Sequence, residues 1–335
     1  MIKAVAAYEP GGELKPFEYD PGVLGADEVE IRVEYCGICR SDFAMLDNEH
    51  ISPQNPLVPG HEVVGQITAI GEKVKNRYLN QRVGLGWYSG SCMTCEWCKG
   101  GDHNLCGEPE QTIVGRYGGF ADKVRAHHTW VIPLPDGIDS VSAGPLFCGG
   151  VTVFNPIVQF GIKPGDRVAV IGIGGLGHMA IQYLHAWGCE VTAFSSNPDK
   201  ETDAKALGAD HFMDSRSSVT LESVKNSFDM VMSTANADLD WAAYMRTLRP
   251  LGRLHFVGGV PNPIAIPYLL LADGQRCVSG SPVGSPNTIA QLLDFVADNQ
   301  LNPVVETFPF EKVNEAVDKF RTDSSQIRYR MVLEM

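Results

Sequence analysis

Residues 167–188 read RVAVIGIGGLGHMAIQYLHAWG, and this stretch decides the architecture. An apolar run, RVAVI, ends in a turn that holds Gly172, Gly174 and Gly177 in G-x-G-x-x-G spacing, and a helical pattern follows. The first glycine permits the tight turn, the second lets a pyrophosphate approach the backbone, and the third allows the helix to pack against the strand. The helix N-terminus offers free N–H groups and partial positive charge to phosphate. Gly172, Ile173, Gly174, Gly175, Leu176 and Gly177 are therefore candidate cofactor contacts. Alone, the triplet is also compatible with a Gly-rich turn that binds nothing; the strand before it and the strand–helix units after it favour a dinucleotide.

Outward from this turn the grammar is regular. EVTAFSS, FDMVMST, RLHFVGG and CVSGSPVG follow as short apolar strands between helical stretches, which predicts a parallel sheet covered by helices on both faces. Before residue 150 the pattern differs. EVEIRVEY at 28–35, VVGQITAI at 63–70 and DKVRA near 122 are strands among Gly/Pro turns. A helical stretch at about 141–160 joins the two regions. After 286 come two amphipathic helices, TIAQLLDFVADNQL and VNEAVDKF, and the tail strand IRYRMVLEM, too few residues for a domain. The expected organisation is a catalytic domain over 1–150, a dinucleotide domain over 151–286, and a segment 287–335 that returns to complete the first.

The second strand of the sheet decides the cofactor. A site for NAD usually places Asp or Glu at its end, accepting from the ribose 2′-OH. Here EVTAFSSNPDK ends in Ser195, Ser196 and Asn197, with Lys200 beyond. Hydroxyls and an ammonium suit a 2′-phosphate, so NADP(H) is expected. Asp199 runs against this unless it points to solvent, and a Ser-rich turn without a ligand is the alternative.

Of 335 residues, 27 are Lys or Arg and 40 are Asp or Glu, a net charge of −13. An acidic surface without a basic stripe makes nucleic acid an unexpected partner. No run of about 18 apolar residues is present, so no membrane span is expected, and the first residues lack the apolar core of a signal peptide, which points to the cytoplasm.

Four of the nine cysteines crowd into Cys92, Cys95, Cys98 and Cys106. Four thiolates at this spacing can wrap one tetrahedral zinc, and four protein ligands leave no open position, so such a zinc is structural. Disulfide pairing is the alternative. Cys39, His61 and Cys148 lie in the Gly-rich runs CGICRSD, PGHE and FCGG. Each alone reads as a packed core residue. Together, two thiolates and a neutral imidazole balance Zn²⁺ and leave one coordination position open, as a catalytic zinc requires. Cys36, Cys189 and Cys277 are expected to be small buried or half-buried residues.

At this point the chain resembles the zinc-containing alcohol dehydrogenases of the medium-chain dehydrogenase/reductase superfamily. The stretch GHEVVG at 60–65, with Gly71 and Val74 after it, matches their zinc signature; CGICRSD, SCMTCEWC, AGPLFCGGVTVF and GIGGLGH look most like the cinnamyl-alcohol-dehydrogenase-like branch. The resemblance implies an α/β fold: a Rossmann doubly wound sheet domain plus a mostly β, GroES-like catalytic domain. It implies two zinc ions, NADP(H), and a small alcohol or aldehyde as substrate. Cys39, His61 and Cys148 would hold catalytic zinc, and Glu62 would be the acidic neighbour able to approach it. Asp42 would orient His61, Ser41 would touch the substrate oxygen and pass its proton outward, and Arg40 would meet the pyrophosphate. Thr152 would pack by the nicotinamide, and Thr234, Gly258, Ser281, Pro282 and Val283 would line the cofactor cleft.

The sequence departs from the family in two places. Where many members carry a histidine three residues after the relay hydroxyl, this chain has Ala44; His50 is the nearest substitute relay, or a residue that merely lines the pocket. Only about a dozen residues separate Cys106 from Gly118, fewer than in plant members, so phenylpropenyl aldehydes do not follow as substrates. A quinone or enoyl reductase of the superfamily, and a non-catalytic NADPH-binding protein, are the competing readings; the intact ligand sets argue against both. An edge strand near Val278–Val283 needs cover, and the resemblance implies a homodimer or homotetramer built through it.

Overall fold

The apolar run before the glycine turn, Arg167–Ile171 (β1), is buried at four of its five residues, as a strand covered on both faces must be. The computed structural model describes residues 1–49, 55–322 and 327–335. Around β1 lie Glu190–Ser195 (β2), His211–Asp214 (β3), Phe228–Ser233 (β4), Leu248–Phe256 (β5) and Cys277–Gly280 (β6). They pair in the order β3-β2-β1-β4-β5-β6, every pair parallel. The order reverses between β1 and β4, the switch point at which doubly wound sheets bind ligands beyond the carboxyl ends of their strands. One face is sealed by Ile171, Phe194, Trp241, Tyr244 and Phe256, with Phe194 and Tyr244 meeting edge to face at 5.7 Å.

β3 has no counterpart among the expected strands, because HFMD carries neither alternation nor an apolar run and is held by pairing with β2. Cys277 is exposed, not buried, since it begins the edge strand β6; Cys36 and Cys189 are buried.

The chain divides into two units, Thr152–Val283 and Met1–Val151 with Gly284–Met335, against 150 and 286 from the sequence. The second unit is mostly β. Its main sheet runs Val305–Pro309, Arg330–Glu334, Glu28–Ile38, Val63–Ile70, Arg82–Leu85 and Ile132–Pro133, and Lys123–His127 also pairs with Glu28–Ile38. The tail strand is antiparallel to Glu28–Ile38, with Met331 opposite Ile38. The helical stretch read at 141–160 is broken: Ser140–Ala143, a 3-10 turn Gly144–Phe147, then Gly149–Gln159. Cys148 sits at the break with φ −126° and ψ −81°. No single described helix is long and apolar enough to cross a membrane.

Two candidate metal centres and a phosphate turn

Cys39 ends the strand Glu28–Ile38 and caps the helix Arg40–Leu46. His61 lies just before the strand Val63–Ile70, and Cys148 at the helix break. The fold brings these three and Glu62 together, each buried, with ligand atoms within 4.8 Å of one another. Cys39 Sγ is 3.8 Å from Cys148 Sγ, and His61 Nε2 is 3.3 Å from Cys148 Sγ.

Asp42 ties the cluster together. Its Oδ2 accepts from Cys39 N at 2.9 Å, and its Oδ1 faces Gly60 N and His61 Nδ1, each at 2.9 Å. With Nδ1 donating to a carboxylate, Nε2 is the nitrogen left to a ligand. Burial works against a charged imidazole, but Asp42 and then Cys39 outweigh it and hold the His61 pKa well above its ordinary value. Hydrogen bonding from Cys148 holds Cys39 on the thiolate side, and the same bond, with burial, pushes the Cys148 thiol up.

Glu62 is fully buried. Burial pushes its pKa up, with Arg330 opposing, to about 7. Its Oε1 pairs with Arg330 Nη2, while Oε2 has no hydrogen-bond partner among the described residues. A side chain at Gly37 would collide with that oxygen, its Cβ only 2.1 Å away. Arg330, itself buried, escaped the sequence reading. It lies on a strand far along the chain, and nothing in the run RYRM separates it from Arg328, which is exposed.

Cys92, Cys95, Cys98 and Cys106 form a second group with sulfurs within 4.8 Å of one another. All nine cysteines are free, and the 3.9 Å between Cys92 and Cys98 sulfurs is far beyond a disulfide bond. Backbone N–H groups of Cys95, Cys98 and Glu108 point at the sulfurs of Cys92, Cys95 and Cys106 at 3.3–3.4 Å. Hydrogen bonds from Thr94 and Cys95 lower the Cys92 pKa to about 6. His103 bonds to Ser91 at 3.1 Å and is not one of the four. Tetrahedral zinc, with Zn–S of about 2.3 Å, separates its sulfurs by about 3.8 Å, so both groups fit the ion.

In the other unit the glycine turn is built as its spacing requires. Gly172 has φ +91°, and a Cβ on Gly177 would strike Gly172 O at 1.9 Å, whereas Gly174 has open space around it. The helix Gly177–Ala186 begins at this turn. Lys200 Nζ donates to Ile173 O at 2.6 Å, tying the end of β2 to the turn. Ser195 is buried and accepts from Asn197 N at 3.1 Å, while Ser196, Asn197 and Asp199 are exposed. The turn thus fits an anionic cofactor.

Other expected contacts are committed within the protein. Thr234 Oγ1 donates to Ile171 O at 2.9 Å, buttressing the turn. Gly258 packs on Thr234 and Ala235 backbone. Thr152 and Val283 are buried, and Ser281 and Pro282 follow β6. Arg40, read as a pyrophosphate contact, holds Glu49 at 2.6 Å. Ser41 begins the helix beside the cluster, with no hydrogen-bond partner for its hydroxyl among the described residues. His50 lies outside the described residues.

Residues 25–136 match the alcohol dehydrogenase GroES-like domain, and residues 175–298 match the zinc-binding dehydrogenase family. The chain is 55% identical over 333 residues to the aldehyde reductase AdhA of Synechocystis sp., covering 99% of this chain and 98% of that protein. This chain belongs to the zinc-dependent alcohol dehydrogenases of the medium-chain superfamily. The dehydrogenase is 32% identical to a cinnamyl alcohol dehydrogenase of Sorghum bicolor, with a TM-score of 0.94 over 99% of this chain and 97% of that one. It is 27% identical to the CAD of Helicobacter pylori, solved with NADP(H), at a TM-score of 0.90 over 100% and 98%. The enzyme is an alcohol dehydrogenase and aldehyde reductase of the cinnamyl-alcohol-dehydrogenase-like branch.

Proposed function

We propose that the dehydrogenase interconverts a primary alcohol and its aldehyde with NADP(H), using one zinc at Cys39, His61 and Cys148 and a second at Cys92, Cys95, Cys98 and Cys106. The observation that carries this is the buried three-donor cluster beside the unpartnered Glu62 oxygen, a set that neutralises a divalent ion and keeps a position open. When bound, the ion supplies Lewis acidity to a substrate oxygen and the nicotinamide gives or takes the hydride.

The chain's own residues do the rest. Asp42 fixes the ring of His61 and the backbone of Cys39, so the donor set is pre-formed. Arg330 pairs with one oxygen of Glu62 and balances its charge, while the other oxygen has no hydrogen-bond partner among the described residues. Ser41 carries the substrate proton. At the phosphate turn, Gly174 admits the pyrophosphate. Ser195, Ser196, Asn197 and Lys200 receive the 2′-phosphate, and Asp199 is exposed. Arg40 reaches the pyrophosphate by releasing Glu49. His50 assists the relay in place of Ala44.

We place the enzyme in the cytoplasm as a homodimer or a tetramer of dimers. Support comes from β6, an edge strand with Cys277 and Val278 exposed, which a two-fold partner would cover. The deciding experiment measures kcat/KM for a series of aldehydes with NADPH and NADH, beside zinc content. A preference for NADPH with two zincs per chain is expected; equal use of both cofactors overturns the 2′-phosphate assignment, and one zinc in fully active protein overturns the two-ion assignment.

A further inference from the structure

One residue before the end of β5, His255 is fully buried, yet both of its ring nitrogens are engaged. Nδ1 lies 2.9 Å from Ser279 Oγ, and Nε2 lies 3.0 Å from Ser281 Oγ. Register explains the arrangement. His255 stands opposite Ser279 in the parallel β5–β6 pair, and residues two apart on a strand share a face, so the imidazole meets two hydroxyls in succession. Arg253, on the same face of β5, places its guanidinium 3.9 Å from the centre of the Phe160 ring. Phe160 in turn meets His255 edge-on at 5.2 Å. Burial, and then the charge of Arg253, push the His255 pKa down to about 4.

A neutral imidazole has one donor and one acceptor. One serine therefore donates to the ring and the other accepts from it, and no polar atom of the ring is left unpaired. An imidazole in this position is costly to bury unless both bonds are made, so the side chain holds the two hydroxyls at fixed distances. A space-filling role would need neither.

The place of the grip is what matters. Ser281 is the first residue beyond β6, and its N–H still donates to Phe256 O at 3.3 Å. Two residues on, Val283 has φ +21°, so the chain turns sharply as it leaves the sheet. In a doubly wound sheet of this strand order a dinucleotide lies across the carboxyl edge with its adenosine ribose at the end of β2, which leaves the β4–β6 side for the nicotinamide half.

We propose that His255 is a positioning residue: by holding Ser279 and Ser281 it sets Ser281–Pro282–Val283 as the wall against which the nicotinamide half of the cofactor is placed. The proposal rests on the NADP(H) reading above.

The test compares wild type, His255→Leu, His255→Gln and Ser281→Ala. Each is titrated with NADPH, followed by nicotinamide fluorescence, and with 2′,5′-ADP, which carries only the adenosine half, followed by calorimetry. Thermal unfolding is recorded in parallel. His255→Leu and Ser281→Ala are expected to raise the Kd for NADPH about tenfold and leave that for 2′,5′-ADP within about twofold. His255→Gln, which keeps a donor and an acceptor, should recover part of the loss. The double variant His255→Leu with Ser281→Ala should bind no more weakly than either single one, because both remove the same grip. Equal weakening of both ligands, or unchanged NADPH binding, overturns the proposal. If His255→Leu does not fold, Ser281→Ala decides: unchanged NADPH affinity there overturns it equally. A wild type that binds neither ligand overturns the NADP(H) reading itself, which the fragment arm separates from failure of the positioning role.

Discussion

The two cysteine-rich clusters have similar donors and opposite construction. The lobe takes all four sulfurs from fifteen consecutive residues, Cys92 to Cys106, and is only partly buried. Its geometry is made by local turns whose N–H groups point at the sulfurs. The other cluster takes its donors from three distant segments and is fully enclosed. It needs Asp42 to hold the pieces together and Arg330 to balance the carboxylate beside them. A local cluster with four ligands is closed, and so serves the fold. A distributed cluster with three ligands leaves one coordination position free, and so serves chemistry.

The sharpest way to break this contrast is Cys148→Ser. It should lower kcat by on the order of a thousandfold, about 4 kcal/mol, and change the melting temperature little. A matching loss of stability would mean that the buried cluster is structural after all. Cys95→Ser should do the reverse. Unfolding in urea should show a loss on the order of 3 kcal/mol, with zinc falling by one ion per chain and the remaining folded protein active.

Asp42→Asn tests the linkage rather than the ligands. An amide has one acceptor oxygen where the carboxylate has two, so it keeps the bond to the Cys39 N–H or those to Gly60 and His61 but not both, and it no longer supplies charge to His61. Zinc affinity at the buried cluster should fall about 10–100-fold, measured by competition with a chromogenic chelator. The lobe should keep its ion, and loss from both would show that the clusters are coupled.

The smallest effect concerns pH. The Cys92 pKa is lowered to about 6, so its thiolate is present above that value and lost as pH falls through it. Protons then compete with the metal. Chelator-induced release from the lobe should quicken by at most about tenfold per pH unit below about 6. Thr94→Val, which removes a hydroxyl 3.6 Å from Cys92 Sγ, should move the onset to higher pH. An unmoved onset would assign the proton to another sulfur.

Legibility in the sequence follows the same division. The lobe could be read because its ligands sit within one loop, and the phosphate turn because β1, three glycines and a helix are contiguous. Cys39, His61 and Cys148 emerged only when taken together, in their Gly-rich runs beside a cofactor motif, since nothing in CGIC or FCGG alone distinguishes a ligand from a core thiol. Arg330 and His255 were not legible. Each is a polar residue in an apolar strand, and each is explained only by a partner on another strand. Ser279 and Ser281 lie more than twenty positions after His255, and Glu62 lies 268 positions before Arg330. The exposure of Cys277 was misread although the edge was expected, because the strand begins at Cys277 and not at Val278.

The position of Arg330 in the chain also sets an order of events during synthesis. The Cys lobe holds all its donors once Cys106 has left the ribosome. The donors of the enclosed cluster are complete at Cys148, but the strand carrying Arg330 appears only after the entire Thr152–Val283 unit has been made. At about 5–20 residues per second, that is a delay on the order of tens of seconds. Throughout it Glu62 has no arginine to balance it, and the sheet around Glu28–Ile38 has an open edge where Arg330–Glu334 will dock. The N-terminal unit therefore cannot finish folding until the unit that interrupts it has been made.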